Sequence, residues 1–176
     1  MGDVIVAGRE AALKRRSSKA VGVARAGWAK GDRKDYKYYT VRYAKRGYVV
    51  ATISYRFVKE AIFPAYVQDA KCAVRWMRAN ADKYPIDPKR IVAIGGSAGG
   101  HLAMMLGYSA GVPELEGNGG HAKFSSAVQV VVNLYDRLQG YPHTMDLSRE
   151  VNVRCQWFIN RFLEEYLSTS KRRRGH

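Results

Sequence analysis

The chain has 176 residues, 47% of them hydrophobic and 26% charged, which excludes the disordered and fibrous classes and predicts a soluble globule. One domain is expected at this length, although a full α/β enzyme more often needs roughly 200 to 250 residues. The net charge of +15 is concentrated: residues 9 to 46 hold 13 Lys or Arg against three acids, and Lys171 to Arg174 add four more. Such runs near the ends read as solvated segments. No aromatic RNA-binding motif or metal-ligand finger accompanies them, so no specific nucleic-acid partner is expected. The layout that follows is a poorly ordered basic segment over 1–18, a single domain over 19–168 and a basic tail over 169–176. The first residues lack the basic start and apolar core of an export signal, and no apolar run approaches transmembrane length. The chain therefore reads as cytoplasmic, with no membrane span.

In chain order, the first candidate element is a short apolar strand over Ala20 to Ala24. Asp35 to Arg46 carries helix formers and aromatics, with Gly47 where a left-handed cap belongs. Tyr48 to Tyr55 is rich in β-branched and aromatic residues and reads as a strand. Val67, Ala70, Val74, Met77 and Ala81 recur at helical spacing, predicting an amphipathic helix that stops near Tyr84-Pro85. Asp87-Pro88 makes a turn, Ile91 to Ile94 is a buried strand, and Gly99 to Ser109 is a helix. Gly111 to Gly120 reads as a loop and Ala127 to Tyr135 as a strand. Val151, Cys155, Phe158, Phe162 and Tyr166 outline a last helix, with Asp146 or Ser148 as its cap. Cys72 and Cys155 fall in predicted helices and are expected to be buried free thiols. The alternation predicts an α/β fold, a mainly parallel sheet with helices on both faces. Ligands of such sheets bind at the carboxyl ends of the strands.

One of those ends carries the chemistry. In Gly95-Gly-Ser-Ala-Gly-Gly-His101 a serine stands between small residues where an apolar strand meets a helix. A serine on so sharp a turn needs a strained backbone, and Gly95 and Gly99 remove Cβ atoms that would collide with strand and helix. Ser97 is thus a candidate nucleophile, and the amide of Ala98 at the mouth of the helix can face a developing oxyanion.

Three stretches together resemble the α/β-hydrolase family, most closely its esterase and lipase branch related to hormone-sensitive lipase and to bacterial feruloyl and acetyl esterases. Gly27-Trp-Ala-Lys-Gly-Asp32 is similar to the tail of the oxyanion segment. Tyr48 to Arg56 with Glu60-Ala-Ile-Phe-Pro64 is similar to the strand and proline loop, and Val67 to Asp87 resembles the helix and turn before the elbow. The resemblance implies an incomplete α/β-hydrolase core, a small-molecule ester substrate and no metal or organic cofactor. It makes Ser97 the nucleophile that forms an acyl-enzyme, and His143, late in the chain before the last helix, the base. Asp136, at the end of a strand after the nucleophile, is the candidate acid that orients His143, and a plain turn residue is the alternative. Amides of Ala26 and Gly27 join that of Ala98 as oxyanion donors. His101 reads as a packing or helix-start residue of the elbow helix, Asp146 as a helix cap, and Asp69 and Asp87 as structural.

The sequence departs from the family pattern in two places. Where the family has His-Gly-Gly-Gly-Trp, this chain has Ala24-Arg-Ala-Gly-Trp28. Seven residues separate Tyr135 from His143, whereas a parallel crossover takes at least about 10 to 12. The rival class is a non-catalytic remnant or binding module that keeps the elbow as architecture and contacts anionic partners through its basic ends. A homodimer through exposed sheet edges is a further expectation.

Overall fold

A computed structural model of the chain describes residues 4–7, 18–24, 37–84 and 86–135. The chain divides into two compact units, Met1–Asp136 and Arg137–His176, and every described residue belongs to the first. Its elements are β1 (Val4–Ala7), β2 (Ser18–Ala24), α1 (Lys37–Lys45), β3 (Val49–Ile53), α2 (Ala65–Ala79), β4 (Ile86–Gly96), α3 (Ala98–Tyr108), α4 (Pro113–Glu116) and β5 (Val130–Tyr135). The helix expected over 151–166 and Cys155 lie outside the described residues.

The five strands form one sheet in the order β1-β3-β2-β4-β5. Strands β2 to β5 run parallel, as the alternation of elements predicts. The chain winds outward from β2 in two directions, to β3 on one side and then back across to β4 and β5 on the other. Because parallel crossovers are right-handed, this reversal places α1 on one face and α2 and α3 on the opposite one. Side-chain alternation agrees: Val49, Ala51 and Ile53 of β3 and Ile91 and Ala93 of β4 join Val67, Ala70, Val74 and Met77 of α2 and Leu102 and Leu106 of α3 in one core. The intervening Val50, Val92 and Ile94 are buried too, on the α1 side.

Three elements differ from the sequence expectation. β1 is an added strand, antiparallel to β3, in a stretch where the sequence showed no element. Four apolar residues are too few to declare a strand by pattern, yet they pair the β3 edge, which would otherwise stand open. β4 begins at Ile86 rather than Ile91, and the Asp87-Pro88 turn survives inside it as an irregularity: residues 86 to 91 of β4 stand opposite 18 to 20 of β2. Asp87 Oδ1 accepts the Lys89 amide at 2.9 Å, which makes this carboxylate structural, as expected. The stretch 111–120, read as a loop, contains the one-turn helix α4 with Pro113 in its first turn.

α4 is held by charge. Lys71 and Arg75, four residues apart on α2, are 0% and 2% exposed, and both converge on Glu116. Lys71 Nζ donates to Glu116 Oε1 at 2.8 Å, to Ser126 Oγ at 3.4 Å and to the Ser109 carbonyl. Arg75 Nη1 donates to Glu116 Oε2 and to the Glu116 carbonyl, both at 2.9 Å, and its Nη2 and Nε reach the Gly119 and Gly120 carbonyls. The Ser126 hydroxyl and the Gly111 amide complete the shell of Oε1 at 2.6 and 3.0 Å. Farther along α2, Arg78 donates to the Ser125 and Ala127 carbonyls. The segment between α3 and β5 is thereby stapled to α2. Cys72 is free but only half-buried, not buried as its helical position suggested; its Sγ lies 3.8 Å from the Gly120 carbonyl at the edge of this staple.

Burial disfavours the Glu116 carboxylate, but hydrogen bonds from Lys71, Ser126 and the Gly111 amide outweigh it and hold its pKa at about 2. A carboxylate depressed in the folded state stabilises above its unfolded pKa and loses that contribution as pH falls toward the folded value. Wild-type stability is therefore expected to drop between pH 4.5 and about 2, and Glu116→Gln to lack that drop. At neutral pH Glu116→Gln leaves two buried cations without their counter-charge. The expected cost is about 3 kcal/mol, the low end for breaking a buried pair because Glu116 is itself 26% exposed. Urea unfolding read as a lower midpoint at constant slope checks it.

Candidate active site

Ser97 sits where β4 passes into α3, and its backbone has φ 53° and ψ −124°. A non-glycine residue at positive φ costs of order 1–3 kcal/mol and persists only where its surroundings enforce it. Here they do. A Cβ on Gly95 would stand 2.1 Å from the Gly99 carbonyl oxygen and 2.2 Å from its carbon, so strand and helix backbones touch where side chains would keep them apart. Gly100 is the second close approach, since its Cβ would meet Asn133 Oδ1 of β5 at 2.4 Å. The strained turn inferred from the small-residue spacing is present, and Gly95 has the role given to it.

The serine stands at the N-cap of α3, a position where a hydroxyl ordinarily accepts a helix amide. Ser97 makes no such side-chain cap bond; only its carbonyl enters the helix, accepting the His101 amide at 3.1 Å. Ala98 is the first helical residue, and its amide belongs to the first-turn N–H groups that an α-helix leaves without an internal partner. Those groups carry the positive end of the helix dipole, so they face an anion formed at Ser97 favourably. His101 is one turn into α3 with its Nδ1 buried, in keeping with a packing role.

Asp136, His143, Ala26 and Gly27 lie outside the described residues. The strand register nonetheless shows which positions are level with the elbow. Ala24, the last residue of β2, pairs with Gly95, and Tyr135, the last residue of β5, pairs with Gly96. Ala26 and Gly27 thus follow by two and three residues a position opposite the elbow, and Asp136 directly follows another. Three neighbouring parallel strands end at the same level around Ser97.

Of the other carboxylates named from sequence, Asp69 and Asp87 are structural, and Asp146 lies outside the described residues. Asp69 accepts the Arg56 backbone amide at 2.9 Å and its guanidinium at 2.8 to 3.2 Å, tying α2 to the segment after β3. Among the described residues no group of three or more His, Cys, Asp or Glu side chains is arranged to hold a metal ion. No helix among them is long and apolar enough to cross a membrane. Glu116 and its two buried cations carried no sequence signal that separates them from a solvated surface.

Comparison with known proteins matches residues 11–152 to the BD-FAE family. Esterase LipC of Mycobacterium tuberculosis is 35% identical over 111 residues, covering 62% of this chain and 27% of LipC. Among solved structures, apo esterase 2 of Thermogutta terrifontis superposes with a TM-score of 0.66 at 28% identity, over 87% of this chain and 57% of that one. The same enzyme phosphonylated by cyclosarin superposes with a TM-score of 0.66 at 26% identity, over 85% and 58%. The chain spans about a quarter of the length of LipC and somewhat more than half of esterase 2.

Two glycine substitutions at the elbow should separate by the atoms they strike. Gly95→Ala collides with backbone that cannot move aside and is expected to cost about 3 kcal/mol or more; Gly100→Ala meets the end of an exposed side chain and costs about 1 kcal/mol. Ser97→Gly relieves the positive φ and should gain about 1 kcal/mol, a rise of about 2–4 °C in Tm, while Ser97→Ala keeps the strain and gains nothing. Thermal unfolding of the four variants measures both contrasts.

Proposed function

The chain belongs to the BD-FAE family, and from that premise we propose that it is a carboxylic ester hydrolase working through a serine acyl-enzyme. The observation that carries the reading is the strained backbone of Ser97 at φ 53°, at the level where β2, β4 and β5 end together. In this reading Ser97 Oγ attacks the ester carbonyl and passes its proton to His143, which Asp136 orients. The carbonyl oxygen becomes an oxyanion held by the Ala98 amide and by amides of Ala26 and Gly27. His143 then protonates the departing alkoxide, and a water activated by the same imidazole releases the acid. Phosphonylation of the Thermogutta terrifontis esterase 2 by cyclosarin supports the choice of an electrophilic phosphorus probe for the test.

p-Nitrophenyl acetate is the substrate to begin with, because its activated leaving group asks least of the general acid. Hydrolysis is expected to fall about a thousandfold or more in Ser97→Ala. A fluorophosphonate probe should leave one adduct, on Ser97, and none after that substitution. Equal hydrolysis by wild type and Ser97→Ala overturns the proposal.

A further inference from the structure

Among the described residues six large apolar side chains are exposed, and three of them, Val58 at 44%, Ile62 at 80% and Phe63 at 53%, fall in one short segment between β3 and α2. Single exposed apolar residues need no explanation, but a cluster on one loop does. The loop is not loose. Arg56 binds Asp69 through its amide and its guanidinium, and its Nη2 also reaches the Ala65 carbonyl at 3.3 Å. Phe57 donates its amide to Glu60 Oε2 at 2.6 Å, while Glu60 and Ala61 return amides to the Phe57 carbonyl at 2.8 and 2.9 Å. The Ala65 amide closes on the Ile62 carbonyl at 3.0 Å, and the Phe63 ring packs edge-on against Tyr66 at 5.9 Å. The charged groups of Arg56 and Glu60 are spent on holding the loop, and the side chains it turns outward at its end are hydrocarbon.

Register locates this loop relative to the serine. Ile53, where β3 ends, pairs with Ala24, and Ala24 pairs with Gly95. Loop and elbow therefore leave the sheet at the same edge and level, two strand spacings apart, about 9.6 Å. α2 starts directly after Phe63-Pro64, α3 starts directly after Ser97, and the two helices pack against each other on one face.

We infer that Ile62 and Phe63, with Val58 of the same loop, bind the apolar chain of the ester whose carbonyl Ser97 attacks. The inference rests on the esterase reading above and adds a preference for esters with a long hydrocarbon arm. Each methylene that the loop removes from water contributes about fourfold to kcat/KM, so an arm that places even a few methylenes there gains tenfold or more.

The test compares p-nitrophenyl octanoate with p-nitrophenyl acetate for an acyl arm, and octyl acetate with ethyl acetate for an alcohol arm, in the full chain. Wild type should prefer the octyl member of one pair by about tenfold or more, and Ile62→Ser/Phe63→Ser should reduce that ratio to about threefold or less. Ile62→Ser alone, at the most exposed of the three positions, serves where the double variant does not fold. The pair that responds identifies the arm. An unchanged ratio, an equal loss on short and long esters accompanied by a lower Tm, or loop-dependent binding to phosphatidylcholine vesicles with no change in ratio overturns the inference. Binding of methyl octyl ketone, a non-hydrolysable isostere, is followed by ligand-observed NMR in the same variants. Ketone binding lost with the loop substitutions in a chain that hydrolyses nothing sinks the esterase reading and leaves the loop only as a hydrocarbon-binding site; hydrolysis with loop-independent ketone binding keeps the esterase reading and overturns this inference.

Discussion

The backbones of Gly95 and Gly99 approach so closely that a methyl group on the first would stand 2.1 Å from the carbonyl oxygen of the second. That contact allows β4 to become α3 within one residue, and Ser97 is the residue on which the direction changes. The positive φ of Ser97, the placement of the Ala98 amide beside it and the direction of α3 are consequences of one steric allowance. Gly100 against Asn133 extends the allowance to β5, so the elbow is fitted to its neighbouring strand as well as to its own helix.

A strained turn persists only if the elements on either side are held independently. Leu102 and Ala103 of α3 are fully buried against α2 and the sheet, so the helix cannot shift to relax the serine without opening the core. At the far end of α3, Lys71 donates to the Ser109 carbonyl at the helix C-cap and binds Glu116, fixing the helix terminus and the chain beyond it. The sheet thus has two edges with different work. The edge where strands begin carries buried ion pairs and backbone staples, and the edge where they end carries strain, a helix N-terminus and exposed hydrocarbon. α2 serves both, with Lys71, Arg75 and Arg78 facing the first and the Asp69 clamp reaching the second.

How much of this could be read in the sequence depends on whether the cause was local. β3, with its β-branched run, and α1, ended by Gly47 at φ 86°, were legible because the signal and the structure occupy the same few residues. The elbow was legible for the same reason: its steric conflict lies between positions four residues apart. The buried pair Lys71 and Arg75 was not legible, because on a helical wheel two cations one turn apart describe a solvated stripe, and their partner Glu116 lies 45 and 41 residues away. β1 and the early start of β4 depend on pairing with other strands, which no local pattern encodes. Of the six site residues named from sequence, Ser97 and Ala98 are described, while Asp136, His143, Ala26 and Gly27 follow β2 and β5 in the sequence and lie outside the described residues.

The residue at position 97 is itself an argument about use. At φ 53° and ψ −124° the backbone favours glycine, and every neighbour needed to accept glycine there is already present. A serine in that place gives up stability, and it recovers none by capping, since its side chain makes no bond to the helix amides. Nor does it fill the core, because Ser97 is partly exposed while the residues on either side of it are buried. Local consistency is broken at one position in an otherwise consistent strand, turn and helix, and such breaks mark functional sites more often than errors of folding. The hydroxyl is what distinguishes serine from the residue the turn prefers, and the proposal that Ser97 is a nucleophile is one that gives this hydroxyl a use.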